Sequence, residues 1–288
     1  MSIVKAAMTS QLIPMREGSG DLPLFCLGDL NFASLVPALD VDQAIYGLRI
    51  LGIDAAGSEA TVADLARLHL EQIRRVQPRG PYRLLGYSFG GLLAYDIARQ
   101  LIEAGEPIAL LALFDTPNPL FREGLSAAER TAAKQKYLED RKRKYWQNLR
   151  SGRWDRLALD LVRLANKALH PVVLRFAKLL GRRAAPLPPE ARIKALWHSY
   201  VPRPLDVRLV LFRAEGRDAE FGEDESMGWR RCVTRGVEVH FAGGIHEEMM
   251  QSPYAARLAT QVMPYLTQTP QQDIARHGTA HDRVNEPS

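Results

Sequence analysis

Three residues far apart in the chain have the types and surroundings needed for nucleophilic acyl chemistry. Ser88 lies in GYSFGG, Asp115 in FDTPNP and His246 in GGIHEEMM. Gly86-Tyr87-Ser88-Phe89-Gly90 reads G-x-S-x-G, the pattern of a strand that turns sharply into a helix and lifts a serine hydroxyl above a sheet. The helix start that follows would offer backbone N–H donors, Phe89 N–H first among them, to an oxygen gaining negative charge. The pattern alone arises by chance with a probability on the order of 0.1 in a chain of this size, so its weight rests on the flanking elements.

A serine hydroxyl needs a base near neutral pH, and the base needs an acid to orient it, in the chain order Ser, Asp or Glu, His. Asp115 follows IALLALF directly, at a strand's carboxyl end, and the prolines after it fix a turn. Asp218, in RAEGRD after the later run VRLVLF, competes for the same role. For the base, His246 stands on a loop between VEVHFAGG and an apolar helical stretch. The other histidines are placed less aptly: His69 within a helix, His170 and His198 in a helical region, His240 within a strand, His277 and His281 in a polar tail.

The elements that must position these residues alternate along the chain. Apolar runs at 23–27, 44–50, 82–87, 108–114, 207–212 and 237–241 read as strands, and IALLALF, apolar on both faces, suits a parallel sheet covered on both sides. Between them, TVADLARLHLEQIRRVQP reads as a helix with Thr61 as N-cap, Asp64 three residues on, and Leu65, Leu68, Ile73 and Val76 as its apolar face. Gly90 to Ala104 reads as a second helix, closed by Gly105. The order predicts an α/β fold, a mostly parallel sheet with helices on both faces. Residues 120–203 contain helical patterns and no convincing strand, which predicts an all-helical lid inserted over the strands' carboxyl ends. The expected organisation is a flexible segment over 1–21, one domain over 22–266, and a disordered tail over 267–288.

Composition narrows the classes further. With 46% hydrophobic and 25% charged residues, the 288-residue chain reads as an ordinary globular protein with a sizeable core. No run reaches the roughly 18–20 apolar residues of a membrane span, and no basic stretch with an apolar core opens the chain, so a cytoplasmic location without membrane insertion is expected. Cys26 and Cys232 lie in or beside apolar runs, read as buried thiols, and make no metal-ligand spacing. Residues 122–183 hold 17 Lys and Arg against 6 Asp and Glu, a local charge of +11 that leaves −6 for the rest of a chain whose total is +5. No nucleic-acid-binding signature accompanies it.

PLFCLG, IYGLRILGID, TVADLA, IRRVQPRGPYRLLGYSFGGLLAYDIARQL, GEPIALLALFDTPNP and GGIHEEMMQSP together resemble the thioesterase domains that release products from nonribosomal peptide and polyketide synthases. The resemblance covers roughly residues 22–265 and is most specific from Gly80 to Pro119. It implies an α/β-hydrolase fold in which a serine takes an acyl chain from a carrier protein's phosphopantetheine thioester and passes it to water or an internal nucleophile. It implies Ser88 as nucleophile, His246 as base and Asp115, rather than Asp218, as acid. Such domains usually follow their first strand with His-Pro-x-Gly-Gly, a loop that supplies a second oxyanion N–H. This chain departs there, with Gly28-Asp29-Leu30-Asn31-Phe32, which makes Leu30 N–H the second donor by position and leaves an inward-turned Asp29 as a group that would oppose an anion. A missing donor costs on the order of 3 kcal/mol.

The resemblance also gives the basic segment a purpose. Carrier proteins are commonly acidic and their arm bears a phosphate, so a positive rim would speed encounter and orient docking. No carrier-like segment lies in the chain, which predicts an acyl or peptidyl carrier protein supplied in trans, a small acyl thioester substrate, and no cofactor of the chain's own. A general serine carboxylesterase would share the three residues without needing the basic rim. A non-catalytic carrier-binding module would keep the elbow with an altered first loop.

Overall fold

The computed structural model describes residues 12–50, 60–124, 189–215 and 224–267, with individual helical positions between 128 and 150. Seven strands form one sheet: β1 (Leu12–Arg16), β2 (Gly20–Leu27), β3 (Gln43–Leu48), β4 (Tyr82–Tyr87), β5 (Ile108–Phe114), β6 (Leu209–Ala214) and β7 (Val237–Ala242). Their spatial order is β1-β3-β2-β4-β5-β6-β7, with β1 antiparallel to β3 and the remaining neighbours parallel. The order reverses between β2 and β4, a switch point where open α/β sheets leave a crevice beyond the strands' carboxyl ends.

The α-helices with both ends among the described residues are α1 (Val62–Val76), α2 (Phe89–Glu103), α3 (Pro189–Ser199) and α4 (Tyr254–Thr267). Alternate strand residues feed two separate cores, as the two-residue period of a strand requires. Phe25, Leu27, Leu84, Leu111, Leu113, Leu209 and Leu211 pack with α1 and α2. Leu24, Cys26, Leu85, Ala112, Phe114, Val210 and Phe212 pack on the other face with Leu258, Ala259, Val262 and Leu266 of α4. Both cysteines are buried free thiols, and burial pushes both thiol pKa values up.

The strands over 82–87 and 108–114 match the sequence reading, and the others differ by a few residues at their ends. The α1 N-terminus forms a reciprocal cap: Asp64 N–H donates to Thr61 Oγ1 at 3.2 Å and Thr61 N–H to Asp64 Oδ2 at 3.1 Å. Gly105 closes α2 with φ 78°, a conformation that favours glycine. The inward face of α1 is rotated from expectation. Val76 is exposed, and Val62, Ala66, His69 and Leu70 join Leu65 and Ile73 in contact with the core side.

One expectation needs correction. Residues 12–16 lie within the segment read as flexible over 1–21, yet they form edge strand β1, and β2 begins at Gly20. Arg16 anchors the strand by donating to the carbonyls of Leu39 (2.6 Å), Val36 (2.8 Å) and Val41 (3.2 Å). Pro14 is tolerated within β1 because an edge strand has no neighbour on one side. Residues 1–11 and the tail beyond Thr267 lie outside the described residues. Of the helical insertion over 120–203, α3 is present, and Ala128, Thr131, Ala132, Gln135, Glu139, Lys142, Trp146 and Arg150 are helical and exposed; residues 151–188 lie outside the described residues. None of the described helices is long and apolar enough to cross a membrane.

His69, 2% exposed, gives this packing a pH dependence. Burial disfavours its charged form and pushes the imidazole pKa down to about 4. An unfolded histidine titrates near 6.5, so between those values the unfolded chain takes up a proton that the folded chain refuses. Stability from this residue is therefore present above the unfolded value and lost as pH falls, by an amount on the order of 3 kcal/mol. Urea unfolding of the wild type and His69→Leu at pH 7 and pH 4.5 checks this, with a smaller loss on acidification expected for the variant.

Candidate active site

Ser88 joins β4 to α2 with φ 52° and ψ −121°, a backbone conformation that non-glycine residues rarely adopt. The surrounding glycines make that turn sterically possible. A Cβ on Gly86 would lie 2.5 Å from the Gly90 carbonyl oxygen, one on Gly90 would lie 2.2 Å from the Leu27 carbonyl oxygen, and one on Gly91 would lie 2.1 Å from Thr116 Oγ1. The elbow is therefore pressed against β2 on one side and the β5 exit on the other. Ser88 N–H donates to the Phe114 carbonyl (3.0 Å), and Thr116 Oγ1 donates to the Ser88 carbonyl (3.0 Å). These two bonds brace the strained residue through both of the peptide groups that flank it.

Asp115, between those bracing residues, is fully buried and also has positive φ, 45°. Its N–H donates to the Phe212 carbonyl (2.7 Å), which holds it at the carboxyl end of β5 beside β6. One carboxylate oxygen accepts from Ala214 N–H (3.1 Å), and the other lies 2.5 Å from His246 Nδ1. A buried carboxylate without such partners would be costly, so the two bonds also stabilise the loop geometry. Asp115 is thus the carboxylate joined to His246; Asp218 lies outside the described residues.

His246 reaches this position on the loop after β7. Gly243 and Gly244 are required there because added Cβ atoms would lie 2.7 and 2.8 Å from the Tyr254 ring, and Gly244 has φ 79°. Glu215 N–H donates to the Gly244 carbonyl (2.9 Å), tying the loop to the end of β6. Tyr87, immediately before Ser88, stacks on the His246 imidazole with ring centroids 4.9 Å apart and donates its hydroxyl to the His246 carbonyl (2.5 Å). The three predicted residues therefore converge at neighbouring strand ends. Among the described hydrogen bonds Ser88 Oγ has no imidazole partner.

The loop after β2 forms the other wall. Gly28 has φ 104° and ψ 53°, and Asp29–Phe32 make a single 3-10 turn in which Asn31 N–H donates to the Gly28 carbonyl (2.9 Å). Phe32 is buried, with its ring edge-on to Phe114 at 5.6 Å, and Leu30 is 74% exposed. Among the described backbone hydrogen bonds, the turn uses the N–H groups of Asn31 and Ala33 and leaves that of Leu30 uncommitted. The Asp29 side chain lies outside the described residues. Phe89, at the first position of α2, is buried, and its ring lies 6.4 Å from that of Trp197 on α3.

Sequence reasoning missed the bracing layer. Trp229 Nε1 donates to the Thr116 carbonyl (2.6 Å), and Asn118 Nδ2 to the Gly228 carbonyl (3.1 Å). On α2, Tyr95 Oη lies 2.6 Å from the Cys232 carbonyl, and Tyr200 donates to the buried Asp96 (3.0 Å). These contacts join residues over 100 positions apart, so no local pattern announces them. Thr116 and Tyr87 were visible only as neighbours of the motif residues.

The chain matches the family model of the thioesterase domain over residues 28–262. It belongs to that family. Among curated relatives it is 44% identical over 112 residues to malpinin synthetase of Mortierella alpina, covering 37% of this chain and 1% of that protein. It is 40% identical over 114 residues to a dimodular nonribosomal peptide synthase of Bacillus subtilis, covering 37% of this chain and 5% of the relative. A non-reducing polyketide synthase of Cladonia grayi is 40% identical over 116 residues, 38% of this chain and 6% of its own length. The thioesterase chain thus spans a few per cent of these relatives. Among solved structures, a four-domain nonribosomal peptide synthetase superposes with TM-score 0.62 at 22% identity, over 90% of this chain and 20% of its own. The NocB thioesterase domain, in covalent complex with a fluorophosphonate nocardicin G analog, superposes with TM-score 0.57 at 21% identity, over 89% of this chain and 99% of its own. These neighbours share the α/β-hydrolase fold, and the family is one of hydrolases acting on thioesters.

The crowding at the elbow predicts a severe penalty for one methyl group. Gly90→Ala would force backbone apart and should cost about 3 kcal/mol. Gly105→Ala, with nothing within 4 Å of the added Cβ but φ 78°, should cost only about 1 kcal/mol. Denaturant midpoints of the two variants measure the difference.

Proposed function

We propose that this thioesterase releases acyl or peptidyl chains in nonribosomal peptide or polyketide biosynthesis by a serine acyl-enzyme mechanism. The single observation that carries the mechanism is the 2.5 Å contact between His246 Nδ1 and the buried Asp115 carboxylate, held beside a strained Ser88. With Nδ1–H donated to Asp115, Nε2 is the lone-pair nitrogen free to take the Ser88 proton. Ser88 Oγ then attacks the thioester carbonyl carbon, and the resulting oxyanion is received by Phe89 N–H and Leu30 N–H. The carbon–sulfur bond breaks, the imidazolium returns its proton to the departing thiolate, and the acyl group remains on Ser88 Oγ. Water or a nucleophile within the acyl chain, deprotonated by His246, completes release by hydrolysis or cyclisation.

The chain thereby needs no cofactor of its own; phosphopantetheine arrives as part of the substrate, on a carrier partner supplied from outside these 288 residues. The local charge of +11 over residues 122–183 supports an acidic partner bearing a phosphate. Relatives that are peptide and polyketide synthases support the same substrate class.

Intact mass spectrometry tests the nucleophile. Wild-type protein treated with a fluorophosphonate or an acyl-pantetheine thioester should gain one adduct, mapped to Ser88, and Ser88→Ala should gain none. Equal labelling of the variant would exclude Ser88.

A further inference from the structure

Tyr87 has no part in the proton transfers above, yet it makes two distinct contacts with the same histidine. Its ring lies nearly parallel to the imidazole, at 20° with centroids 4.9 Å apart, and its hydroxyl donates to the His246 carbonyl at 2.5 Å. The side chain is 8% exposed and packs in the core that contains Leu85, Phe114, Met249 and Met250. Being the last residue of β4, it is covalently joined to Ser88.

We propose that Tyr87 is a positioning residue that fixes His246 relative to Ser88, so that the nucleophile strand itself carries the register for its base. The inference rests on the serine mechanism proposed above. The physical need is plain: a single hydrogen bond from Nδ1 to Asp115 leaves the imidazole free to turn about that bond, and the Glu215–Gly244 bond holds the loop two residues before His246 rather than at it. His246 sits on a loop that begins with two glycines, and its side chain is 24% exposed, so burial alone does not hold it. The Tyr87 ring removes the turning freedom by covering one face of the imidazole. Its hydroxyl holds the main chain of the same residue. The face of the tyrosine ring also favours the positive charge that the imidazole gains during acylation.

The sequence separation makes the link a tertiary one. Tyr87 and His246 are 159 residues apart, and no element lies between the tyrosine and the nucleophile to absorb an error. Displacing a base by about 1 Å can cost about 100-fold in rate, whereas loss of one buried hydrogen bond typically costs about tenfold.

The test compares Tyr87→Phe, which keeps the ring and loses the hydroxyl, with Tyr87→Leu, which loses both, in the whole chain. The readouts are the second-order rate of Ser88 labelling by a fluorophosphonate, the kcat and KM for a pantetheine thioester, and the thermal midpoint. Tyr87→Phe should label about tenfold more slowly and Tyr87→Leu about 100-fold, with the loss in kcat and KM unchanged. In a His246→Ala background, Tyr87→Phe should produce no further loss, because its effect runs through the imidazole. Labelling of Tyr87→Phe within twofold of wild type, or the same tenfold loss without the histidine, would overturn the proposal. If Tyr87→Leu does not fold, the phenylalanine cycle decides alone. Absence of Ser88 labelling in the wild type would instead overturn the serine mechanism, and the positioning role with it.

Discussion

The buried Asp115 carboxylate and its contact with His246 set the terms for the rest of the structure. A carboxylate with no solvent exposure at the end of a central strand has to be matched by donors, and the fold supplies Ala214 N–H and His246 Nδ1. Supplying the first requires β6 to run beside β5 in parallel register, with Phe114 opposite Phe212. Supplying the second requires the chain to return along β7 and place a loop across the carboxyl ends of the strands. The glycines packed on Tyr254 and the Glu215–Gly244 bond are the local means of doing so. Two positive-φ residues, Ser88 and Asp115, follow the neighbouring strands β4 and β5, and each donates its backbone N–H to a carbonyl of the next strand. Strain tolerated at both points at once indicates that the packing around them is strong enough to over-determine their conformations.

The same junction explains the glycine spacing of the elbow. GYSFGG needs Gly86 because α2 starts against it, Gly90 because β2 ends against it, and Gly91 because Thr116 fills the remaining space. The Thr116 hydroxyl in turn holds the Ser88 carbonyl, and its own carbonyl is held by Trp229. Ser88 is thus held by residues contributed from β2, the β5 exit and the segment before β7, which leaves its backbone little conformational freedom.

Much of this was legible in the sequence, for identifiable reasons. Strands such as IALLALF are apolar on both faces and bounded by turn residues, so their limits are clear; VRLVLF begins later than its apolar pattern because Val207 is buried without pairing, and the ladder with β7 opens only at Leu209. Thr61 and Asp64 announced the start of α1 because capping is a local interaction. β1 was hidden, since a short edge strand containing Pro14 draws its stability from Arg16 and from β3 rather than from its own pattern. The candidate triad emerged from chain order, and Tyr87, Thr116 and Trp229 did not, because their roles depend on residues over a hundred positions away or on packing around the turn. His69 shows the same limit: a histidine on a helix reads as polar, and only tertiary packing shows it fully enclosed.

Rapid-quench acylation by wild type and Asp115→Asn, with the same pantetheine thioester, measures the dependence of Ser88 reactivity on the buried carboxylate most directly. The asparagine amide would keep the shape of the site while favouring the wrong imidazole tautomer, so acylation should slow by about 10⁴-fold with substrate binding retained. Acylation of Asp115→Asn within a few-fold of the wild type would contradict a role for this carboxylate in directing His246 toward Ser88.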